Sequence, residues 1–390
     1  MRAAADEHAP PVSRQTVQRA IDAAAWYLMR AVRLDGSFEY RVNSNPEVTV
    51  KPRYNMLRHA GSIYAMTMYL AEQGSAAIED ATLRAGRYLL NRTVENVAEV
   101  EAEDLLAVWS NPEVTITKKP VQAKLGGAGL GLVALAGLES VRPGFTTIYD
   151  RQALGRFILF MQKADGSFYS KYIPSTVRRD DSWTSLYYPG EAALGLLMLY
   201  ELDPDRRWFE AAGRALDYLA RTRAGKSEVP ADHWALLASA KLLSLDDGRL
   251  EQEQRARLLA HAAQICRVVL DQQLADPGFA DLHGGFATDG RVTPTATRLE
   301  GLLAARSFLP SDSLLVEEID AAVSRGIAFL LRAQITEGYL AGGFPRAIAP
   351  LPETARKAAS FNRRATEVRI DYVQHALSAL IQYRATMPTD

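Results

Sequence analysis

The chain has 390 residues, 45 Lys and Arg against 46 Asp and Glu, a formal net charge of −1, and 48% hydrophobic residues. Near-zero net charge excludes a protein that tracks nucleic-acid phosphates, and the composition is that of a soluble globular chain rather than a disordered or fibrous one. Cys266 is the single cysteine, which excludes a disulfide framework and a thiolate metal site and reads as a small buried hydrophobe.

Residues 1–13 carry no apolar core of the signal-peptide type and read as a disordered lead-in. No stretch approaches the roughly 20 apolar residues that cross a bilayer. A cytoplasmic location is the expectation, with periplasmic or secreted locations left open by a trimmed signal. From residue 14 to 390 the pattern is that of one domain. Charged amphipathic helices are predicted at 14–34, 79–93, 149–163, 206–222, 250–273 and 314–333, each with apolar residues spaced at three and four. Between them lie nearly uncharged apolar segments beginning near Pro52, Pro120, Pro189, Pro230, Pro294 and Arg369. A helix apolar on all sides must be buried on all sides. Six such helices alternating with six amphipathic ones predict a ring inside a ring, an all-α (α/α)6 barrel.

Loop lengths orient that barrel. Inner-to-outer connections are short, as at 203–206 and 246–249, whereas the outer-to-inner ones, 35–53, 94–119, 164–187, 274–293 and 334–365, are long. Long ordered loops are usually functional, and alternation gathers them where inner helices begin. The pentapeptide NPEVT recurs at 45–49 and 111–115 and is expected to form small hairpins. The glycine-bearing turns AVRLDGSFEY, FMQKADGSFYS, QQLADPGFADLHGGF and RAQITEGYLAGGF end outer helices, where Gly supplies a positive φ. In KLGGAGLG, no strand precedes Gly126, Gly127 and Gly129, so close helix packing is expected there rather than a dinucleotide loop.

The polar residues of the inner helices crowd their starts. The predicted mouth holds Tyr54, Asn55, Arg58 and His59; Gln122 and Lys124; Tyr187, Tyr188 and Glu191; Asp232, His233 and Trp234; Thr297, Arg298 and Glu300; and Arg369, Asp371, Tyr372 and His375. Ionisable groups on apolar helices cost several kcal/mol unless paired or wet. Arg58 with Glu191, or Arg298 with Asp371, would be purely structural pairs. Asp181, Trp183, Tyr187 and Tyr188 place acids beside aromatic faces, a combination suited to a sugar ring. Two carboxyls held at different protonation states can hydrolyse a glycosidic bond. Histidines at His59, His233 and His375, with His283 in a loop, can instead move a proton to or from carbon. No His-x-x-x-His pair or cysteine partner points to a metal, and no cofactor is expected. The basic segment 342–366, with Arg346, Arg356, Lys357, Arg363 and Arg364, suits an anionic substrate such as a uronate or a phosphorylated sugar. A small-molecule or oligosaccharide substrate is the expected partner, with oligomeric state open.

On these residues the chain resembles the (α/α)6 toroids of the six-hairpin glycosidase type and the N-acylglucosamine 2-epimerase and cellobiose epimerase group. The glycine turns resemble the Q-x-x-x-G repeats of prenyltransferases and terpene cyclases. The glycosidase resemblance implies two catalytic acids among Glu191, Asp232, Glu300 and Asp371. The epimerase resemblance implies Arg58, His233 and His375. Hydrolysis is the first expectation and epimerisation the second. A cyclase lacks its D-x-D-D acid at Asp180 and Asp181, and a non-catalytic binding toroid also stays open.

Overall fold

In a computed structural model that describes residues 12–97, 104–176, 178–275 and 281–388, long apolar and amphipathic helices alternate along the chain. Most of the expected lead-in, 1–11, lies outside the described residues. The outer helices are α1 (Arg14–Ala31), α3 (Ala76–Thr93), α6 (Ile148–Phe160), α8 (Arg206–Arg223), α10 (Gln252–Leu270) and α12 (Leu314–Ala333). The inner ones are α2 (Met56–Glu72), α5 (Leu125–Val141), α7 (Tyr188–Leu202), α9 (His233–Ser244), α11 (Val292–Arg306) and α14 (Ile370–Thr386). Two short helices, α4 (Pro112–Thr115) and α13 (Ala358–Asn362), sit in loops.

The sequence character of each ring is its burial. Every residue of α5 from Leu125 to Leu138 is buried, while α8 buries one stripe including Trp208, Ala212, Leu216 and Leu219. Adjacent inner helices pack in the cyclic order α2, α5, α7, α9, α11, α14 and back to α2, so the ring closes. Close packing explains the KLGGAGLG glycines. A Cβ on Gly129 of α5 would lie 2.6 Å from the Glu191 carbonyl of α7, and one on Gly195 of α7 would lie 2.7 Å from the Gly129 oxygen.

A repeated turn ties the outer ring. Gly36, Gly166, Gly284 and Gly342 all take positive φ, and a Cβ on each would strike a backbone oxygen of the next outer helix: Arg84, Arg214, Arg325 and Ala23 respectively. In three of these turns a glutamine clamps that helix as well, with Nε2 of Gln162, Gln273 and Gln334 donating to the Ala211, Ala322 and Ala20 carbonyls at 2.8–2.9 Å. The last turn grips α1, which closes the outer ring on the first helix.

All short strands lie in outer-to-inner loops. β1 (Arg41–Asn43), β2 (Val94–Asn96), β3 (Leu106–Val108), β4 (Ala123–Lys124), β5 (Lys171–Ile173), β6 (Arg178–Asp180) and β7 (Glu367–Arg369) form three small antiparallel sheets. β1 pairs with β7, Arg41 opposite Arg369, and joins the first and last loops across the closure point. The NPEVT echoes do not form the expected hairpins. Residues 45–49 hold bends and turns, and 112–115 is the helical turn α4, because Pro112 presets helical φ at its start and Ile116 ends it with φ +51°.

Gly342→Ala should destabilise the fold by more than about 2 kcal/mol, through left-handed strain and a Cβ driven into α1. Its chemical unfolding midpoint, compared with that of the parent, checks this. An unchanged midpoint would mean that the turn does not fasten the ring.

Candidate functional site

The inner helices all begin at the face rimmed by the long loops, and there they surround a cavity of about 550 Å³. Every inner helix contributes to its lining: Asn55, Leu57 and Arg58 from the start of α2; Leu130 from α5; Tyr187, Tyr188 and Glu191 from the start of α7; His233 and Trp234 from α9; Arg291, Thr293, Pro294, Thr297 and Arg298 from the start of α11; and Arg369, Asp371, Tyr372, Gln374 and His375 from the start of α14. Arg346 and Arg364 reach it from the loop between α12 and α14.

Two histidines and a carboxylate form the centre. His375 Nδ1 lies 2.7 Å from Glu300 Oε2, His233 Nε2 lies 3.8 Å from the same oxygen, and the two imidazole centroids are 5.3 Å apart in an edge-on arrangement. Tyr187 and Trp234 pack on His233 with centroids 5.0 Å away, fixing the ring on two sides. Burial, with His375 and Arg298 nearby, holds His233 well below its ordinary 6.5, so it is a neutral imidazole at physiological pH. Neither ring nitrogen of His233 has a hydrogen-bond partner, and neither do Glu191 Oε2, Glu300 Oε1 and Thr293 Oγ1. Buried polar atoms are rarely left unpaired, so this concentration singles out the cavity as the candidate site.

The acids are sorted by their surroundings. Glu191 is buried, a Cβ on Gly126 would strike its Oε2, and burial with the neighbouring Asp232 charge pushes its carboxyl well above 4.5. Burial alone would raise the Asp371 carboxyl too, but Arg58 and Arg369 outweigh it and hold Asp371 below 3.8. Arg58 Nε is 3.0 Å from Asp371 Oδ2, Arg369 NH2 is 2.9 Å from the same oxygen, and Arg369 Nε takes Oδ1. Tyr40 OH accepts from Arg58 NH1 at 2.6 Å, so that guanidinium is aimed from two sides. The expected pairs are therefore re-sorted. Arg58 meets Asp371 rather than Glu191, and Arg298 donates to the Gln272 side chain at 2.9 Å rather than to Asp371.

Eight residues expected at the mouth or beside it do not line the cavity. Tyr54 and His59 form a staple behind α2: burial holds His59 near 4, so its Nε2–H donates to the Ala85 carbonyl at 2.9 Å while Nδ1 accepts from Tyr54 OH at 2.8 Å. Asp232 caps α9 through the Ala235 amide and pairs with Arg223 at 2.9 Å. Asp181 pairs with Lys163, and Trp183 is 56% exposed with its edge on Tyr188. Glu300 stands behind the lining, in contact with His375. Lys124 and Gln122 are at the rim sheet or beside it, and the His283 carbonyl accepts from Arg332. Arg291 was not foreseen, although its place directly before an inner helix matches that of the residues that were.

His233, Glu300 and His375 offer ligand atoms all within 4.8 Å of one another, a spacing that could hold a divalent cation. The short hydrogen bond between His375 and Glu300 occupies one atom of each without a metal. The donor set thus fits both a cation and a carboxylate-oriented proton carrier.

No protein-family profile matches the sequence, and no curated protein matches it. Solved structures do match the fold. Cellobiose 2-epimerase from Spirochaeta thermophila is 14% identical over 96% of this chain and 98% of its own, with a TM-score of 0.63. A D-mannose isomerase is 12% identical over 97% of this chain and 100% of its own, at 0.66. An α-1,6-mannanase from Salegentibacter sp. is 11% identical over 95% of this chain and 99% of its own, at 0.62, in an inactive variant with two aspartates replaced, bound to a mannotetraose. The fold is thus the (α/α)6 toroid shared by carbohydrate epimerases, isomerases and hydrolases.

Asp371→Asn should lower stability by about 3 kcal/mol, since it leaves two arginines beside a neutral amide; the figure is at the low end for buried pairs because Arg58 stays partly wet. The stability Asp371 contributes is full above its unfolded value of 3.8 and is lost as pH falls through its lowered folded value. Melting curves of parent and variant at pH 7 check the first point. Equal melting temperatures would mean that Asp371 is free for chemistry rather than committed to positioning Arg58.

Proposed function

We propose that this chain is a sugar epimerase or isomerase, moving a proton at the carbon beside an open-chain sugar carbonyl. The observation that carries this reading is the pair of cavity-lining imidazoles, His233 without a protein partner and His375 braced by Glu300. Neutral His233 takes the proton from carbon, the C–H electrons form a C=C bond, and the carbonyl oxygen gains the negative charge. Arg58, aimed by Asp371 and Tyr40, is the cavity group suited to steady that oxygen. A proton returned by His375 to the opposite face of the same carbon gives the epimer. Returned instead to the former carbonyl carbon, with the proton of the neighbouring hydroxyl passing to the former carbonyl oxygen, it gives the ketose.

Hydrolysis is the second reading, favoured by one contrast: burial raises the Glu191 carboxyl well above 4.5 while two arginines hold Asp371 below 3.8. Against it, both Asp371 oxygens are engaged by arginines, so its charge is spent before a sugar arrives. The mannanase was inactivated at two aspartates, and the adjacent aspartates of this chain, Asp180 with Asp181 and Asp246 with Asp247, do not line the cavity. Both readings are carbohydrate chemistry, as in the structural neighbours.

Incubation with aldoses in deuterated water should place solvent deuterium on carbon without change of chain length. In heavy-oxygen water no cleaved product should carry the label, and a labelled cleaved product would favour the acids instead. His233→Asn and His375→Asn should each lower kcat by about 10²–10⁴, the usual weight of a general base or acid. Because His233 stays neutral until well below 6.5, the acid limb of kcat/KM should lie below pH 6.5, and a limb above 7 would remove it as the base. Prolonged chelation should leave carbon exchange intact, since Glu300 already braces His375; loss of exchange restored by a divalent cation would convert the trio into a metal site.

A further inference from the structure

We propose that the sugar taken by this site carries an anionic substituent, a carboxylate or a phosphate, docked by Arg298 and Arg346 on the side of the mouth formed by α11 and the loop after α12. The inference rests on the reading of the cavity as a sugar site.

Charge is distributed unevenly in this chain. The net charge is −1, yet the cavity is lined by six arginines and only two acids, Glu191 and Asp371, and burial disfavours the charged form of Glu191. Four of the arginines are compensated. Arg58 and Arg369 share Asp371, Arg364 NH2 reaches Glu367 at 2.7 Å, and Arg291 Nε reaches Asp289 at 2.7 Å. Arg298 and Arg346 have no carboxylate within 4.0 Å among the described residues. Arg298 donates to Gln272 Oε1 and to the Pro294 carbonyl at 3.2 Å, while Arg346 donates to the Phe361 carbonyl at 3.2 Å and lies 4.4 Å over the Phe361 ring. Such neutral partners hold a guanidinium in place without cancelling its charge.

The two are also held close to other arginines. The Val292 amide donates to the Arg346 carbonyl at 3.1 Å, and Arg291 bridges to Ala347, which pins the loop bearing Arg346 against the start of α11. Burial pulls both Arg298 and Arg346 below 12.5; the neighbouring charge that adds to this is Arg291 for Arg298, and Arg364 followed by Arg291 for Arg346, where Glu367 opposes them only weakly. Rigidly fixed like charges around a cavity are the arrangement that a bound anion relieves, and guanidinium forks suit carboxylate and phosphate oxygens. Thr293 Oγ1, buried and without a partner, adds a neutral donor on the same side.

The test separates binding from turnover by using glycosides that cannot open. Methyl glucoside, methyl glucosiduronic acid and methyl glucoside 6-phosphate, with their manno counterparts, are titrated calorimetrically into the full chain at low and high salt. At least one anionic form should bind about tenfold or more tightly than its neutral parent, with the margin shrinking as salt rises. The form preferred tells carboxylate from phosphate. In Arg298→Gln/Arg346→Gln the margin should vanish while the melting temperature stays near that of the parent; if the double variant melts early, Arg346→Gln alone should narrow the margin. Equal affinity for neutral and anionic glycosides would overturn the proposal even if neutral aldoses exchange deuterium. Tight anion binding with no carbon exchange on any aldose would sustain the anion site and sink the epimerase reading instead.

Discussion

The inner helices have no wet side, and the rest of the molecule follows from that constraint. A helix such as α5, buried at every position from Leu125 to Leu138, can exist in water only if others surround it. Five further helices of the same kind supply a closed ring, and the amphipathic helices supply its jacket. Polar groups are then admissible on the inner ring only where a partner or a cavity awaits them. That places them at the helix starts, under the long loops.

Within the mouth, electrostatics divides labour among similar residues. Three carboxylates on three inner helices meet three surroundings: Glu191 in a buried crevice cleared by Gly126 that disfavours its charge, Asp371 ionised between two arginines, and Glu300 bonded to His375. The histidines divide likewise. His59 is locked between Tyr54 and the Ala85 carbonyl, whereas His233 keeps both nitrogens free of protein partners. Residue type is therefore a poor guide to role here, and the surroundings decide.

Closure gives the site its rigidity. Four glycine turns lock outer helices to their successors, with Gln334 and Gly342 returning the last turn to α1, and β1 with β7 ties the first loop to the last. Arg58 from α2 and the residues of α14 face one another only because the ring is closed. Their encounter joins opposite ends of the chain, so the site exists only in the completed barrel.

The sequence by itself determined the toroid and the face on which its cavity opens. Apolar segments with polar starts and long outer-to-inner loops are local properties, and they place Arg58, His233 and His375 on one rim without any knowledge of contacts. What only the tertiary structure decided is which of those side chains turn into the cavity and which partners they take. Asp232 turned to Arg223, Tyr54 and His59 turned into the core, and Arg58 met Asp371 instead of Glu191. Arg291 and Arg346 joined the lining from loops whose path no periodicity describes. The physical reason is one of range: periodicity and capping are set by residues three or four apart, whereas pairing among buried charges depends on the angles and distances between helices far apart in the chain.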